Sequence, residues 1–383
     1  VLENRELANI VSEAIMMKMT AAVAPAKGER LEIDTVDLDD NLHGDQLLVK
    51  IVAVGVCGAD IMRAKNGMGR SEFPIILGHE GAGIVERIGD DVREFEVGDH
   101  VTISYASCGH CRQCLAGRPY ACEHSDELNF GGTEYYGDHR FSMDGQPITS
   151  FFQQSSFVTY AKVQERNAVK VTKDVDLSLL GPLGCGLQTG AGTVMHILKP
   201  EVGSTLAVFG TGTVGDAAIM AAKAMNVGRI IAVDIFDTRL TEAKALGATD
   251  IINSKEADDV PALIQAMTNG GVDYAIVSAP ANGLPEQAIR STGILGHIAI
   301  IGGAAHADLS MMNDILVPAR QVTGVLQGFS LPKLFTPQLI QLYQQGDFPF
   351  DKLVKFYELK DVNQAFEDSL NGTTVKPILR MPQ

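Results

Sequence analysis

Four of the chain's six cysteines fall within fifteen residues, Cys108, Cys111, Cys114 and Cys122, at the spacing C-x2-C-x2-C-x7-C. No other stretch restricts the fold so much. Four thiols this close, in a segment punctuated by Gly109, Gly117 and Pro119, can close around one tetrahedral metal ion with little chain strain. Four thiolates are the usual ligand set of a closed structural zinc site. The alternative is a set of reduced cysteines or two local disulfides, and such short spacings make paired bridges awkward. A closed site has no open coordination position, so this cluster is architecture and the chemistry must lie elsewhere.

Only Cys57 and Cys185 remain, one in VGVCGAD and the other in GPLGCGLQTG. Between them stands Gly78-His79-Glu80, which holds the chain's single His-Glu dipeptide. Cys57, His79 and Cys185 would leave zinc a fourth position for water or substrate, the layout of a catalytic site. Taken singly, each of these cysteines reads equally as a small buried apolar residue. The expectation is two Zn2+ per chain.

Size and charge narrow the rest. At 383 residues, 45% of them apolar, the chain can bury a large core and should divide into about two domains. A net charge of −16 with no basic run argues against nucleic acid and against an anionic membrane surface. No apolar run approaches the length of a transmembrane span. Residues 1–16 have helical spacing but carry Glu3, Glu6 and Glu13, the wrong sign for a secretory leader, and they read as an appended helix. Thiols poised for metal suit a reducing, cytoplasmic setting. Met19–Val23 reads as the first strand.

Leu47–Val56 (LLVKIVAVGV) has the β-branched content of a strand and delivers Cys57 at its end. Glu96–Ile103 reads as a turn and a strand leading into the cysteine lobe. Ser125–Ser156 reads as a long, polar, glycine-rich loop. After Pro182 the pattern changes. Thr205–Phe209 is a buried strand followed at once by Gly210-Thr211-Gly212-Thr213-Val214-Gly215, then by helical composition over Asp216–Met225. A second strand, Arg229–Val233, ends on Asp234, 24 residues beyond Gly210. In that context the glycines read as a dinucleotide loop: Gly210 for the turn, Gly212 for approach of the pyrophosphate, Gly215 for helix–strand packing. The phosphates would meet the positive end of a helix. Asp234 would accept hydrogen bonds from the adenosine ribose and repel a 2′-phosphate, which favours NAD over NADP. A glycine turn that binds nothing is the alternative. Strands at Asp273–Ser278 and His297–Ile301 continue the alternation. Helix Pro337–Gln345, strand Leu353–Tyr357, helix Asp361–Leu370 and a strand near Val375–Arg380 then return to complete the first domain.

With those residues in place, the chain from about Met19 to Arg380 resembles the medium-chain zinc-dependent alcohol dehydrogenases. Gly78-His79-Glu80-x-x-Gly83-x5-Gly89-x-x-Val92 fits that family's zinc signature, and the four-cysteine lobe and dinucleotide glycines follow in the family's order. The stretches FFQQSSFVTYA, VKVTKDV, LLGPLGCGLQTGAG and LYQQGDFPFDKLVKFY are similar to the aryl-alcohol (benzyl alcohol) branch. The resemblance implies an α/β protein, a doubly wound Rossmann domain (187–326) inserted in a β-rich GroES-like catalytic domain (19–186 and 327–383), after an extension at 1–18. It implies NAD-linked oxidation of an aromatic or allylic primary alcohol to its aldehyde, in a homo-oligomer, dimer or tetramer. By position, Asp60 resembles the carboxylate that orients the histidine and Glu80 the residue behind the metal. Thr189 and Val214 resemble those pressing on the nicotinamide, Arg239 the one beside the ribose, and Lys376 one near the pyrophosphate.

Departures from the family pattern matter too. Ala59 stands where the family usually has the Ser or Thr that relays the alcohol proton, with Gly58 and Met62 at neighbouring relay positions. Asp216 replaces an apolar residue, and a carboxylate near the phosphates would weaken NAD binding. A polyol or other secondary-alcohol dehydrogenase and a catalytically weak NAD- and zinc-binding homologue are therefore alternatives. Ser104, Tyr105 and the Ser125–Ser156 loop are expected to line the substrate pocket.

Overall fold

The structure is a computed structural model that describes residues 16–67, 69–70, 72–134, 137–302 and 306–382. The appended helix expected over 1–16 lies outside these, apart from Met16, which opens the first strand, Met16–Ala24.

A six-stranded, wholly parallel sheet forms the middle of the chain, in the spatial order Asp250–Asn253, Arg229–Asp234, Thr205–Phe209, Val272–Val277, Thr292–Ile300, Gln321–Gly324. The order in which strands are added reverses at Thr205–Phe209, which makes this a doubly wound sheet with its switch point beside the glycine loop. Helices cover both faces, so its central strands read as unbroken apolar runs. Leu206–Phe209, Ile230–Val233 and Ala275–Val277 are all buried.

The first part of the chain forms two mostly antiparallel sheets. In the larger, Gln46–Gly55 pairs with Gly81–Ile88, with Tyr160–Gln164 and with the C-terminal strand Lys376–Arg380. The Ile378–Gly55 pairing therefore brings the end of the chain back to the strand that carries Cys57. Chain return is thus hydrogen-bonded into the sheet, and the parallel unit sits as an insertion within a GroES-like β-rich unit.

Two local readings change. Ser125–Ser156 is not a structureless loop: it holds a helix, Ser125–Phe130, and a hairpin of Phe141–Met143 with Gln146–Ile148. Elements of three to six residues leave too short a pattern for periodicity to register. The helix expected to begin at Pro337 begins at Pro332 and carries Pro337 within it. Proline at a first helical turn is well tolerated, and here one starts the helix while the other fails to break it.

Candidate active site

Asp60 ties the site together. It lies in the first turn of the helix Gly58–Asn66, fully buried. One carboxylate oxygen accepts from the Gly78 backbone N–H at 2.9 Å and lies 3.0 Å from His79 Nδ1, while the other accepts from the Cys57 N–H at 3.0 Å. A single side chain thus locks the two strand ends that bear Cys57 and His79. With Nδ1 engaged, His79 Nε2 is buried and has no hydrogen-bond partner among the described residues. A buried imidazole nitrogen left in that state is what a metal ligand looks like without its metal.

The ligand atoms of Cys57, His79, Glu80 and Cys185 all lie within 4.8 Å of one another. Zinc fits this donor set, and the three segments converge although the sequence separates them widely. Electrostatics point the same way. The hydrogen bond from Cys185 holds the Cys57 thiol far below its usual range, against the effect of burial, and the same bond together with burial drives Cys185 far up. At His79, burial opposes the charged ring, but the Asp60 carboxylate and the Cys57 thiolate outweigh it and the net shift is strongly upward.

Two phenylalanines frame the imidazole. Phe152 stacks on His79 with centroids 4.5 Å apart and planes at 22°, and Phe151 meets it edge-on at 5.5 Å. Both come from the segment 150–156, in which Phe152, Gln153 and Ser155 adopt positive φ near +50°. Gln154 holds that segment to the site: its Nε2 donates to the His79 carbonyl at 3.0 Å and its Oε1 accepts from the Gly81 N–H at 3.3 Å. Sequence reasoning gave these three residues no role of their own, only a place in a segment expected to line the substrate pocket. The FFQQSS string was the available signal, but nothing local in it shows contact with His79.

Glu80 is buried behind the ligand set and paired with Lys376, Nζ to Oε2 at 2.8 Å. Burial raises the Glu80 carboxyl although Lys376 opposes it, and Glu80 holds the Lys376 ammonium up despite burial. Expected near the pyrophosphate, Lys376 instead has its ammonium committed to Glu80 and to the Val56 carbonyl. It still contributes to the wall of the adjoining cleft.

That cleft, about 300 Å3, is lined by Cys57, Gly210, Gly212, Val214, Asp234 and Arg239 among others. Gly210 has φ +97°, and a Cβ on Gly215 would sit 1.9 Å from the Gly210 carbonyl oxygen. A Cβ on Gly212 would meet nothing within 4 Å, so the backbone there borders open space. The helix Thr213–Ala224 begins at Gly212 without a side-chain cap, leaving its first N–H groups for an anion. A dinucleotide fits these features. Asp234 ends its strand with one oxygen accepting from Thr211 N–H and the other from Ile235 N–H, each at 2.7 Å. Arg239 donates to the Ser369 carbonyl at 2.8 Å and lies over Phe236. Thr189 donates its hydroxyl to the Cys185 carbonyl at 2.8 Å. Its helix packs so closely on the glycine-loop helix that a Cβ on Gly190 would lie 2.0 Å from the Val214 carbonyl oxygen.

Ser104 and Tyr105 do not line this cleft. Ser104 donates to the Gly184 carbonyl and Tyr105 to the Ser330 carbonyl, and both are buried. Gly58, Ala59 and Met62 are exposed beside Cys57, and Ala59 brings no hydroxyl.

In the separate lobe, the sulfurs of Cys108, Cys111, Cys114 and Cys122 lie within 4.8 Å of one another, and all six cysteines are free thiols. The Cys108–Cys114 and Cys111–Cys122 sulfurs are 3.9 and 4.0 Å apart. That is too far for a disulfide and close to the ~3.8 Å edge of a tetrahedron with zinc–sulfur arms of ~2.3 Å. Backbone N–H donation from Cys114 brings the Cys111 thiol down to about 6, while burial pushes Cys114 up to about 12 and raises Cys122, so the four thiols share their protons unequally.

Residues 43–173 match the alcohol dehydrogenase GroES-like domain and residues 213–345 match the zinc-binding dehydrogenase domain. Geraniol dehydrogenase of Castellaniella defragrans is 36% identical over 367 residues, covering 94% of this chain and 96% of its own length. An S-(hydroxymethyl)glutathione dehydrogenase of Synechocystis sp. is 33% identical over 368 residues, with coverage of 95% and 100%. Among solved structures, benzyl alcohol dehydrogenase from Acinetobacter calcoaceticus superposes with a TM-score of 0.91 at 44% identity, covering 96% of this chain and all of that one.

Proposed function

Because the chain belongs to the medium-chain zinc-dependent alcohol dehydrogenase family, we propose that it oxidises an aromatic or allylic primary alcohol to its aldehyde, reversibly, with NAD as hydride acceptor. One observation carries the reading. Cys57, part of the metal-ligand group, and the Gly210–Gly212–Asp234 dinucleotide loop face a single cleft. The aromatic or allylic preference is supported by likeness to proteins named for geraniol and benzyl alcohol.

Cys57, His79 and Cys185 would hold a catalytic zinc, with Glu80 behind it, and Cys108, Cys111, Cys114 and Cys122 a structural one. Zinc, when bound, supplies Lewis acidity that makes a substrate hydroxyl a better acid, as it lowers water to about 7 from 15.7, and the nicotinamide supplies the hydride acceptor. The chain does the remainder. Asp60 keeps the His79 Nδ1 proton in place, so that Nε2 presents its lone pair. Lys376 balances the Glu80 charge. Thr189 and Val214 would bear on the nicotinamide, the Thr213–Ala224 helix end would receive the pyrophosphate, and Asp234 with Arg239 would hold the adenosine ribose. Asp234 excludes a 2′-phosphate by charge. With no hydroxyl at Ala59, the substrate proton would leave through ordered water or directly from the alcohol.

The division into 19–186 with 327–383 and 187–326 belongs to the same proposal, as does a cytoplasmic homo-oligomer. Among the described residues no helix is long and apolar enough to cross a membrane. Self-association is supported by the edge strand Gln321–Gly324, whose outer side has no strand partner among the described residues, and by the exposed Ile294, Leu295, Met312 and Val317 near it. The test is NADH absorbance with benzyl alcohol, geraniol and sorbitol, alongside zinc content. Turnover of sorbitol but neither of the others, or protein without zinc, would overturn the reading.

A further inference from the structure

Asp216 is the one residue of the glycine-loop helix whose chemistry the proposed reaction leaves unexplained. It stands in the first turn of Thr213–Ala224, four residues past Gly212, and its side chain is fully buried. Neither carboxyl oxygen has a hydrogen-bond partner among the described residues. An ionised carboxylate in that state would carry a large desolvation cost with nothing to offset it.

Its surroundings make the problem worse. From the neighbouring strand it faces Asp234, and from the next helix, Asp237–Leu246, it faces Glu242 and Arg239. Arg239 is the only cation among these; it donates through Nη2 to the Ser369 carbonyl and lies over the Phe236 ring, and although its buried Nε has no hydrogen-bond partner among the described residues, it makes no hydrogen bond to Asp216. Of the other charges on those two elements, Arg229 pairs with Asp250, Asp237 accepts from Asn253 and Lys244 acts on Asp250, while Lys223, in the last turn of the glycine-loop helix itself, lies against Gly247. Gly186–Gly192 and Thr205–Phe209, which also pack on the helix, carry no titratable side chain, and His196 beyond the former is turned to the Gly328 carbonyl. Burial, then Glu242 and Asp234, push the carboxyl well above the usual range, with Arg239 alone opposing.

We propose that Asp216 determines cofactor affinity as an uncharged acid: protonated, it leaves the positive end of the glycine-loop helix intact for the dinucleotide, and its ionisation weakens that site. The carboxyl therefore does not confront the phosphates as a standing charge. Four residues of helix place its backbone about 6 Å along the axis from the Gly212 cap. A unit charge within ~12 Å of a phosphate, at an effective dielectric near 20, changes affinity about tenfold. Two consequences share one sign. The folded state holds this proton more tightly than the unfolded chain does. Its stabilising contribution is thus complete below the unfolded carboxyl pKa, about 3.9, and is lost as pH rises through the folded value. Cofactor binding follows the same direction.

The inference rests on the dinucleotide reading above, and the test separates the two. NADH dissociation constants are measured from pH 6 to 9 for wild type, Asp216→Asn and Asp216→Leu, using the emission of NADH itself because the chain has no tryptophan. Melting temperatures of the cofactor-free proteins are taken over the same range. Wild type should lose NADH affinity about tenfold more than either variant across that range, and both variants should gain in melting temperature relative to wild type as pH rises. Protons released at the metal site are common to all three proteins and cancel. Identical pH dependence of NADH binding in wild type and both variants overturns the inference, as do parallel melting profiles. Failure of wild type to bind NADH at any pH sinks the dinucleotide reading and the affinity claim with it.

Discussion

Substituting Asp60 by Asn should weaken one zinc and leave the other alone. The carboxylate now accepts from Cys57 N–H at 3.0 Å and Gly78 N–H at 2.9 Å, and engages His79 Nδ1 at 3.0 Å, all in full burial. Asn keeps the shape but offers one acceptor oxygen and one NH2. If the oxygen serves Gly78 and His79, the amide opposes the Cys57 N–H, donor against donor, and a rotated amide instead loses both other bonds. A buried donor left unpaired costs about 1–3 kcal/mol. The lost charge also stops favouring the Nδ1–H form of His79. Removing such an orienting partner typically lowers metal affinity by ~10–100-fold, about 1.4–2.7 kcal/mol. Zinc competition against a chromogenic chelator would read this directly. Wild type should release two equivalents at high chelator, whereas Asp60→Asn should release one of them at ~10–100-fold lower chelator. The Cys108–Cys122 lobe, which Asp60 does not touch, supplies the internal control. Wild-type affinity for both equivalents, with only a fall in melting temperature, would show that Asp60 supports packing and does not orient the ligand.

Two further outcomes follow from named contacts. Ala59→Thr, which supplies a hydroxyl next to the metal-ligand group, should raise turnover and shift its pH profile; steady-state kinetics showing no change in either would count against a missing proton relay. Lys376→Met strands the Glu80 charge in a fully buried position and should destabilise the protein by about 3–5 kcal/mol in denaturant unfolding, most of it recovered when Glu80→Gln is added. A loss below about 1 kcal/mol would mean that Glu80 takes up a proton and never needed the partner.

What was legible in the sequence was what local geometry dictates. Cys108, Cys111, Cys114 and Cys122 converge in space because so few residues separate them. The glycine loop, too, is written locally, since turn, close approach and helix start occupy six consecutive residues. Thr205–Phe209 read as a buried strand from its own apolar run. Three-residue strands within Ser125–Ser156 carried no readable period, so that segment's helix and hairpin are visible only in the tertiary structure.

Other features depended on distance in sequence and nearness in space. His79 was visible as a ligand, but its Phe152 stack needed a segment more than seventy residues on to fold back over it. Lys376, placed by resemblance near phosphates, is drawn to Glu80 because a buried carboxylate within reach outcompetes solvent for its ammonium. Asp216 shows the limit most clearly. Its identity and position in the loop were plain, and charge alone made it look harmful to the cofactor. Which way the side chain turns, and whether anything there can solvate it, is settled by the packing of two helices and a strand. Residue types declare what chemistry a chain can carry; only tertiary packing sets the solvation that decides which charges exist.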